Sequence, residues 1–189
     1  MAAASSSVKR RNLVIAIAGP HGSGKSTHAR RLAEYLGLKY FSAGRMFREM
    51  AENREISLLE FTRMVDNDER FDKSVDEQTK LEAEKGGVVL DGLLSAWMAG
   101  ELANLKLYLA APEEARFRRI ALRDGIRFAE ARDKTLERDR KEKERFKRFY
   151  NIDIDYVAIY DLILNTELFE PDGTTRILKK VVDEYLARR

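Results

Sequence analysis

The sequence predicts an α/β fold in which a parallel sheet of five strands lies between layers of helices. Three observations predict it. Short continuous apolar runs, led by Leu13–Ala18, alternate with stretches of helical period, and such runs suit strands buried on both faces. Several runs stop at a turn signal, such as Gly19-Pro20, Asp91-Gly92 or Asn165-Thr166. Strand–helix alternation of this kind favours parallel pairing with crossover helices. The length of 189 residues fits one domain, and an apolar content of 44% is enough for a core.

Each element follows from its own pattern. Leu13–Ala18 is the first strand. Residues 27–36 read as a helix with Ala29, Leu32, Ala33 and Leu36 on one face, and Gly37 closes it. Lys39–Ser42 is the second strand, and Gly44–Asn53 reads as a helix with Met46, Phe47 and Met50 spaced for burial. Ser57 and Glu60 form a capping box ahead of Leu58, Leu59 and Phe61. Phe71, Val75 and Leu81 mark one face of a longer helix that ends at Gly86-Gly87. Val88–Leu90, Leu105–Leu109 and Leu162–Leu164 complete the sheet, with helices expected over Pro112–Asp124 and Ile177–Leu186. The stretch Arg132–Arg145 has Leu136 as its one large apolar residue, so a helix there is expected to pack weakly and to move as a lid. Residues 1–11 read as a disordered tail, and 12–189 as one domain with an insertion at about 42–86 and the lid at about 124–148.

Composition narrows the function classes. Cysteine is absent, which excludes disulfides and thiolate metal sites. A charged fraction of 35% fits a cytoplasmic, thermophilic protein. No run is long enough to span a membrane, and Leu13–Ala18 is too short for a signal peptide. Net charge is +3, yet Glu113–Arg148 alone holds 14 Lys/Arg against 9 Asp/Glu. Such a segment suits a polyphosphate ligand, nucleic acid, or a solvated face of ion pairs.

The most specific motif is Gly19-Pro20-His21-Gly22-Ser23-Gly24-Lys25-Ser26, which matches G-x-x-x-x-G-K-[ST] in full and lies between a strand and a helix. Glycines let the backbone aim its N–H groups at phosphate oxygens, and the helix N-terminus adds its positive end. Lys25 is placed to reach the β and γ phosphates and Ser26 to offer its hydroxyl to Mg²⁺. With Thr27, these residues form the expected ATP site of a P-loop NTPase three-layer sandwich. His21 is expected on the loop surface without a catalytic role, and His28 on the helix surface.

Further segments resemble nucleoside monophosphate kinases, and the run of motifs is most similar to archaeal-type cytidylate kinases. Phe41–Glu49 resembles their S-[TA]-G-x-x-x-R segment, Val88–Gly92 their third strand, and Arg119–Arg123 their R-I-x-x-R segment. Tyr150–Asp153, Tyr160–Thr166 and Trp97-Met98 carry the likeness further, so that it spans about Asn12 to Leu186. The resemblance implies an acceptor site of Ser42, Gly44, Arg45, Arg48, Asp91 and Glu142, with Arg48 gripping the acceptor phosphate. It implies that Asp91 orients Mg²⁺ through water and that Arg119 contacts the donor. Arg123, Arg138 and Arg145 would contact the moving phosphoryl group beside Lys25. The implied reaction is ATP + CMP to ADP + CDP in a monomer, with Mg²⁺ and without nucleic acid or membrane. Adenylate kinase activity is the alternative within this chemistry; a nucleotide switch or RNA-associated ATPase is the alternative outside it.

One departure stands out. The archaeal pattern reads Glu-Gly-Arg after the third strand, whereas this chain has Asp91-Gly92-Leu93, and the position four after Asp91 is Ser95. The expectation is that Arg45 supplies the missing cation.

Overall fold

The computed structural model describes residues 12–65 and 68–188. The expected tail, residues 1–11, lies outside them. The strands are β1 (Val14–Ala18), β2 (Lys39–Ser42), β3 (Val88–Asp91), β4 (Leu105–Ala110) and β5 (Leu162–Asn165). The helices are α1 (Lys25–Leu36), α2 (Ala43–Glu52), α3 (Leu58–Val65), α4 (Glu69–Lys85), α5 (Ser95–Ala99), α6 (Glu113–Asp124), α7 (Phe128–Tyr150) and α8 (Pro171–Ala187). All pairings are parallel, in the order β2-β3-β1-β4-β5. This is the expected α/β sandwich, with β1 at the centre.

The core explains why the strands were so legible. Every residue of β1 is buried. Ile15, Ile17, Val89, Leu107 and Leu109 pack against Ala29, Leu32 and Leu36 of α1 and Leu178 and Val182 of α8. Val14, Val88 and Leu90 face the other way, against Ala83 of α4 and Ala99 of α5. Burying each such aliphatic side chain contributes roughly 1.5–3 kcal/mol. The insertion between β2 and β3 has a core of its own: Phe47, Ala51, Phe61, Val65 and Val75 are buried together. Phe61 anchors it with ring centroids 4.8 Å from Phe47 and 5.3 Å from Phe71.

The capping box forms: Glu60 N–H donates to Ser57 Oγ at 3.2 Å, and Ser57 N–H to Glu60 Oε2 at 2.9 Å. The side chain of Leu59, expected on the apolar face there, lies outside the described residues.

Three local expectations are corrected. Leu81 is 47% exposed, because the buried face of α4 runs through Asp72, Val75, Thr79, Glu82 and Ala83. His28 is buried, not on the surface, and its Nδ1 lies 3.0 Å from Thr175 Oγ1 of α8. The weak packing expected of Arg132–Arg145 also fails. It forms part of α7, a 23-residue helix that buries Ala131, Thr135, Glu142, Arg145 and Phe146 while Leu136 points outward. Its inner face is polar, which hydrophobic periodicity cannot detect. The last helix begins earlier than expected because Pro171 is tolerated in a first turn.

Candidate active site

The site lies at the carboxyl ends of the strands, where open parallel sheets leave a crevice. The loop after β1 is pressed against its neighbours. At Gly19 (φ 142°) a Cβ would stand 2.2 Å from the Leu109 carbonyl oxygen, and at Gly22 (φ 81°) 2.6 Å from that of Arg116. No other residue fits either position without moving backbone. Side chains brace the loop from outside. Thr166 Oγ1, just past β5, donates to the Ser23 carbonyl at 2.9 Å. Arg119 Nη1 donates to Thr166 Oγ1 at 2.9 Å and Arg116 Nη1 to the His21 carbonyl at 2.9 Å. Arg116 is buried and bonded also to Asp139 at 2.9 Å. Sequence reading missed it, although it lies one turn before Arg119 on the stripe that continues to Arg123.

One cavity of about 880 Å³ runs from this loop to the insertion. His21, Gly22, Gly24, Lys25, Ser26 and Thr27 line one end, with Arg119 and Arg123 of α6 beside them. Lys25 Nζ donates to the Pro20 carbonyl at 3.3 Å, and burial lowers its pKa. Ser42, Gly44, Arg48 and Asp91 line the other end. Strand register places Ser42 beside Asp91. The Tyr40 hydroxyl and Ser42 Oγ donate to Asp91 Oδ2 at 2.8 and 3.0 Å. Asp91 Oδ1 is buried and has no hydrogen-bond partner among the described residues. An orphaned carboxylate oxygen in the same cavity as the exposed Ser26 hydroxyl is an oxygen donor set that fits a hydrated Mg²⁺.

Arginines converge on this space. Burial, then the charges of Arg138 and Arg123, lower the pKa of Arg48. Cations that repel one another in a cavity define a place for an anion. Arg138 Nε donates to Glu142 Oε1 at 2.9 Å, and Arg123 pairs with Asp124 at 2.6 Å. Arg145 is held by Asp72 of α4 at 2.8 Å, and its guanidinium lies over the Phe47 and Phe146 rings. Glu142 is buried; its Oε2 lies 2.8 Å from His21 Nε2. Burial opposes ionisation of Glu142, but His21 and the Arg138 and Arg145 guanidiniums outweigh it and hold the carboxyl well below the usual range. Burial lowers the pKa of His21, so a neutral ring donates its Nε2–H to that carboxylate. His21 is thus a tie between the loop and α7, not a surface bystander.

Arg45 does not reach the cavity. It is exposed, pairs with Glu49 at 3.2 Å and is absent from the lining residues. The helical phase of α2 turns Arg48 inward and Arg45 out. The expectation that Arg45 replaces the missing arginine is therefore corrected. Leu93 lines the wall, and Ser95 Oγ is engaged by the Gly92 and Ile17 carbonyls at 2.9 and 3.1 Å. Arg30 of α1, its guanidinium 5.5 Å from the Tyr40 ring centroid, lines the same cavity.

The basic segment carries much of its charge in ion pairs. Lys134–Glu130, Arg140–Glu144 and Lys141–Glu137 are bridged one helical turn apart, and Lys143 pairs with Asp155. Among the described residues no helix is long and apolar enough to cross a membrane.

Comparison with known proteins agrees with this fold. A family model described as an AAA domain matches residues 15–147. A cytidylate kinase of Staphylothermus marinus is 44% identical over 174 residues, 92% of this chain and 98% of that one. A cytidylate kinase of Methanopyrus kandleri is 41% identical over 186 residues, 94% and 96% of the two chains. Among solved structures, a shikimate kinase from Bacteroides thetaiotaomicron superposes with a TM-score of 0.60 at 15% identity, covering 90% of this chain and 98% of that one. That likeness shows the fold alone. The chain belongs to the AAA-domain family of P-loop proteins and, within it, to the family of these cytidylate kinases.

Proposed function

We propose that this protein transfers the γ-phosphoryl group of ATP to CMP, giving ADP and CDP. The observation that carries the reading is the single cavity that joins a phosphate loop at one end to Arg48 and the insertion at the other. The similarity to cytidylate kinases along nearly the whole chain supports CMP as the acceptor.

Phosphoryl transfer depends on alignment and charge neutralisation more than on covalent help from the protein. The loop N–H groups and Lys25 hold the donor phosphates. Arg48 binds the acceptor phosphate, and Arg30 adds a further cation to the cavity wall. Arg123 and Arg138 face the space between the two and stabilise charge on the transferring group. The Ser26 hydroxyl and, through water, Asp91 would hold Mg²⁺. When bound, that ion neutralises charge on the β- and γ-phosphate oxygens. The acceptor oxygen is already ionised, so no general base is needed. α7 lies over the cavity and excludes water, which limits hydrolysis of ATP.

The test is ATP turnover with CMP, dCMP, UMP and AMP, each against a blank. ADP formation that requires CMP is expected. Turnover that ignores all four acceptors would defeat the reading.

A further inference from the structure

The insertion side of the cavity has a feature that binding phosphates does not use. Asp72, Val75, Asp76 and Thr79 recur at helical spacing on one face of α4, and all line the cavity with Phe47 and Leu58. Phe47, Leu58 and Val75 make apolar walls suited to a flat ring. Asp72 is committed to Arg145 at 2.8 Å, and Thr79 Oγ1 donates to the Val75 carbonyl at 2.8 Å. Asp76 is different: its Oδ2 is buried and has no hydrogen-bond partner among the described residues. The Tyr150 hydroxyl of α7 is set to donate to its carboxyl, Arg145 of α7 favours its charge and Asp72 of its own helix opposes it. Arg48 of α2 opens into the same cavity, and α5 (Ser95–Ala99) brings no titratable group against α4.

A buried carboxylate oxygen without a donor is costly to the fold. Such a group persists where a ligand supplies the missing N–H.

Resting on the proposed reaction, we infer that Asp76 reads the acceptor base, its carboxylate oxygen accepting a hydrogen bond from the exocyclic amino group of cytosine. Uracil presents a carbonyl oxygen at that position, so two acceptors would face each other across the contact. The site therefore selects an amino-bearing pyrimidine by repulsion of the alternative as well as by attraction. The Arg145–Asp72 pair fixes the neighbouring turn, and the Tyr150 hydroxyl steadies the Asp76 carboxyl while its Oδ2 stays open as an acceptor. Burial above all, with a contribution from Asp72, pushes the Asp76 carboxyl up to about 7. That value marks a carboxyl whose burial the Tyr150 hydroxyl and Arg145 only partly offset. It also sets the assay at pH 8, where the group is ionised.

The test compares CMP, UMP and the CMP analogue that carries hydrogen in place of the amino group. Wild-type protein is expected to lose roughly 10-fold or more in kcat/KM when the amino group is removed, the scale of one charge-assisted hydrogen bond. Asp76→Asn, whose amide can donate to the uracil carbonyl as well as accept from the amino group, should narrow the CMP-to-UMP preference, with KM for CMP raised and KM for ATP unchanged within about twofold. A merely structural role would lower all three acceptors together. Wild-type protein that uses the analogue as well as CMP, or D76N with an unaltered CMP-to-UMP ratio, would overturn the inference alone. The analogue arm needs only the native chain, so it decides the matter even if the variant does not fold. Failure of wild-type protein to use any monophosphate would instead bring down the proposed function, and this inference with it.

Discussion

His28 and His21 are seven residues apart and serve different purposes. His28 sits under α8 bonded to Thr175, and burial, with Arg31 and Arg119, depresses its pKa to about 4. A histidine that must stay neutral in the fold stabilises it above the ordinary pKa of about 6.5 and loses that contribution as pH falls toward 4. The melting temperature is accordingly expected to fall between pH 6.5 and 4, and His28→Gln to flatten that fall. A wild-type profile no steeper than the variant's would contradict the assignment. The sequence could not reveal His28's burial, since a polar residue on the inner face looks like one on the outer. For the same reason Asp76 was silent: its meaning lies in the lack of a partner for Oδ2, which is a fact of three dimensions.

At the scale of the element, α2 shows how helical phase sorts two similar side chains. Arg48 lines the cavity and Arg45 pairs with Glu49 outside it. Arg48→Ala is expected to raise KM for CMP at least about tenfold, the usual weight of a guanidinium–phosphate contact, while Arg45→Ala leaves it within about twofold. Steady-state kinetics at saturating ATP would decide, and a larger effect at Arg45 would refute this phase. β1 and β3 were legible because their continuous apolar runs are buried throughout, on both faces of the sheet. The phosphate loop was legible because its glycines are required by backbone contacts. α7 was legible only as charge. Its inner face is held by Glu142 to His21, Asp139 to Arg116 and Arg145 to Asp72, and no periodicity encodes a partner.

At the scale of the whole molecule, α7 joins the phosphate loop, through His21 and Glu142, to the insertion, through Arg145 and Asp72. Removing one member of a buried charged network costs roughly 3–5 kcal/mol, because the remaining charges stay buried. Glu142→Ala is expected to lose about that much in urea unfolding and to raise ATP hydrolysis without an acceptor, as the cover loosens. Unchanged stability together with unchanged basal hydrolysis would show that α7 is held otherwise. The Thr166 clasp carries a different consequence, one of timing. The loop is written near the start of the chain, but the hydroxyl that holds Ser23 comes from a residue just past the last strand. That contact spans 143 residues of sequence, so the loop gains it only once β5 has joined the sheet, and order in the loop is coupled to long-range folding.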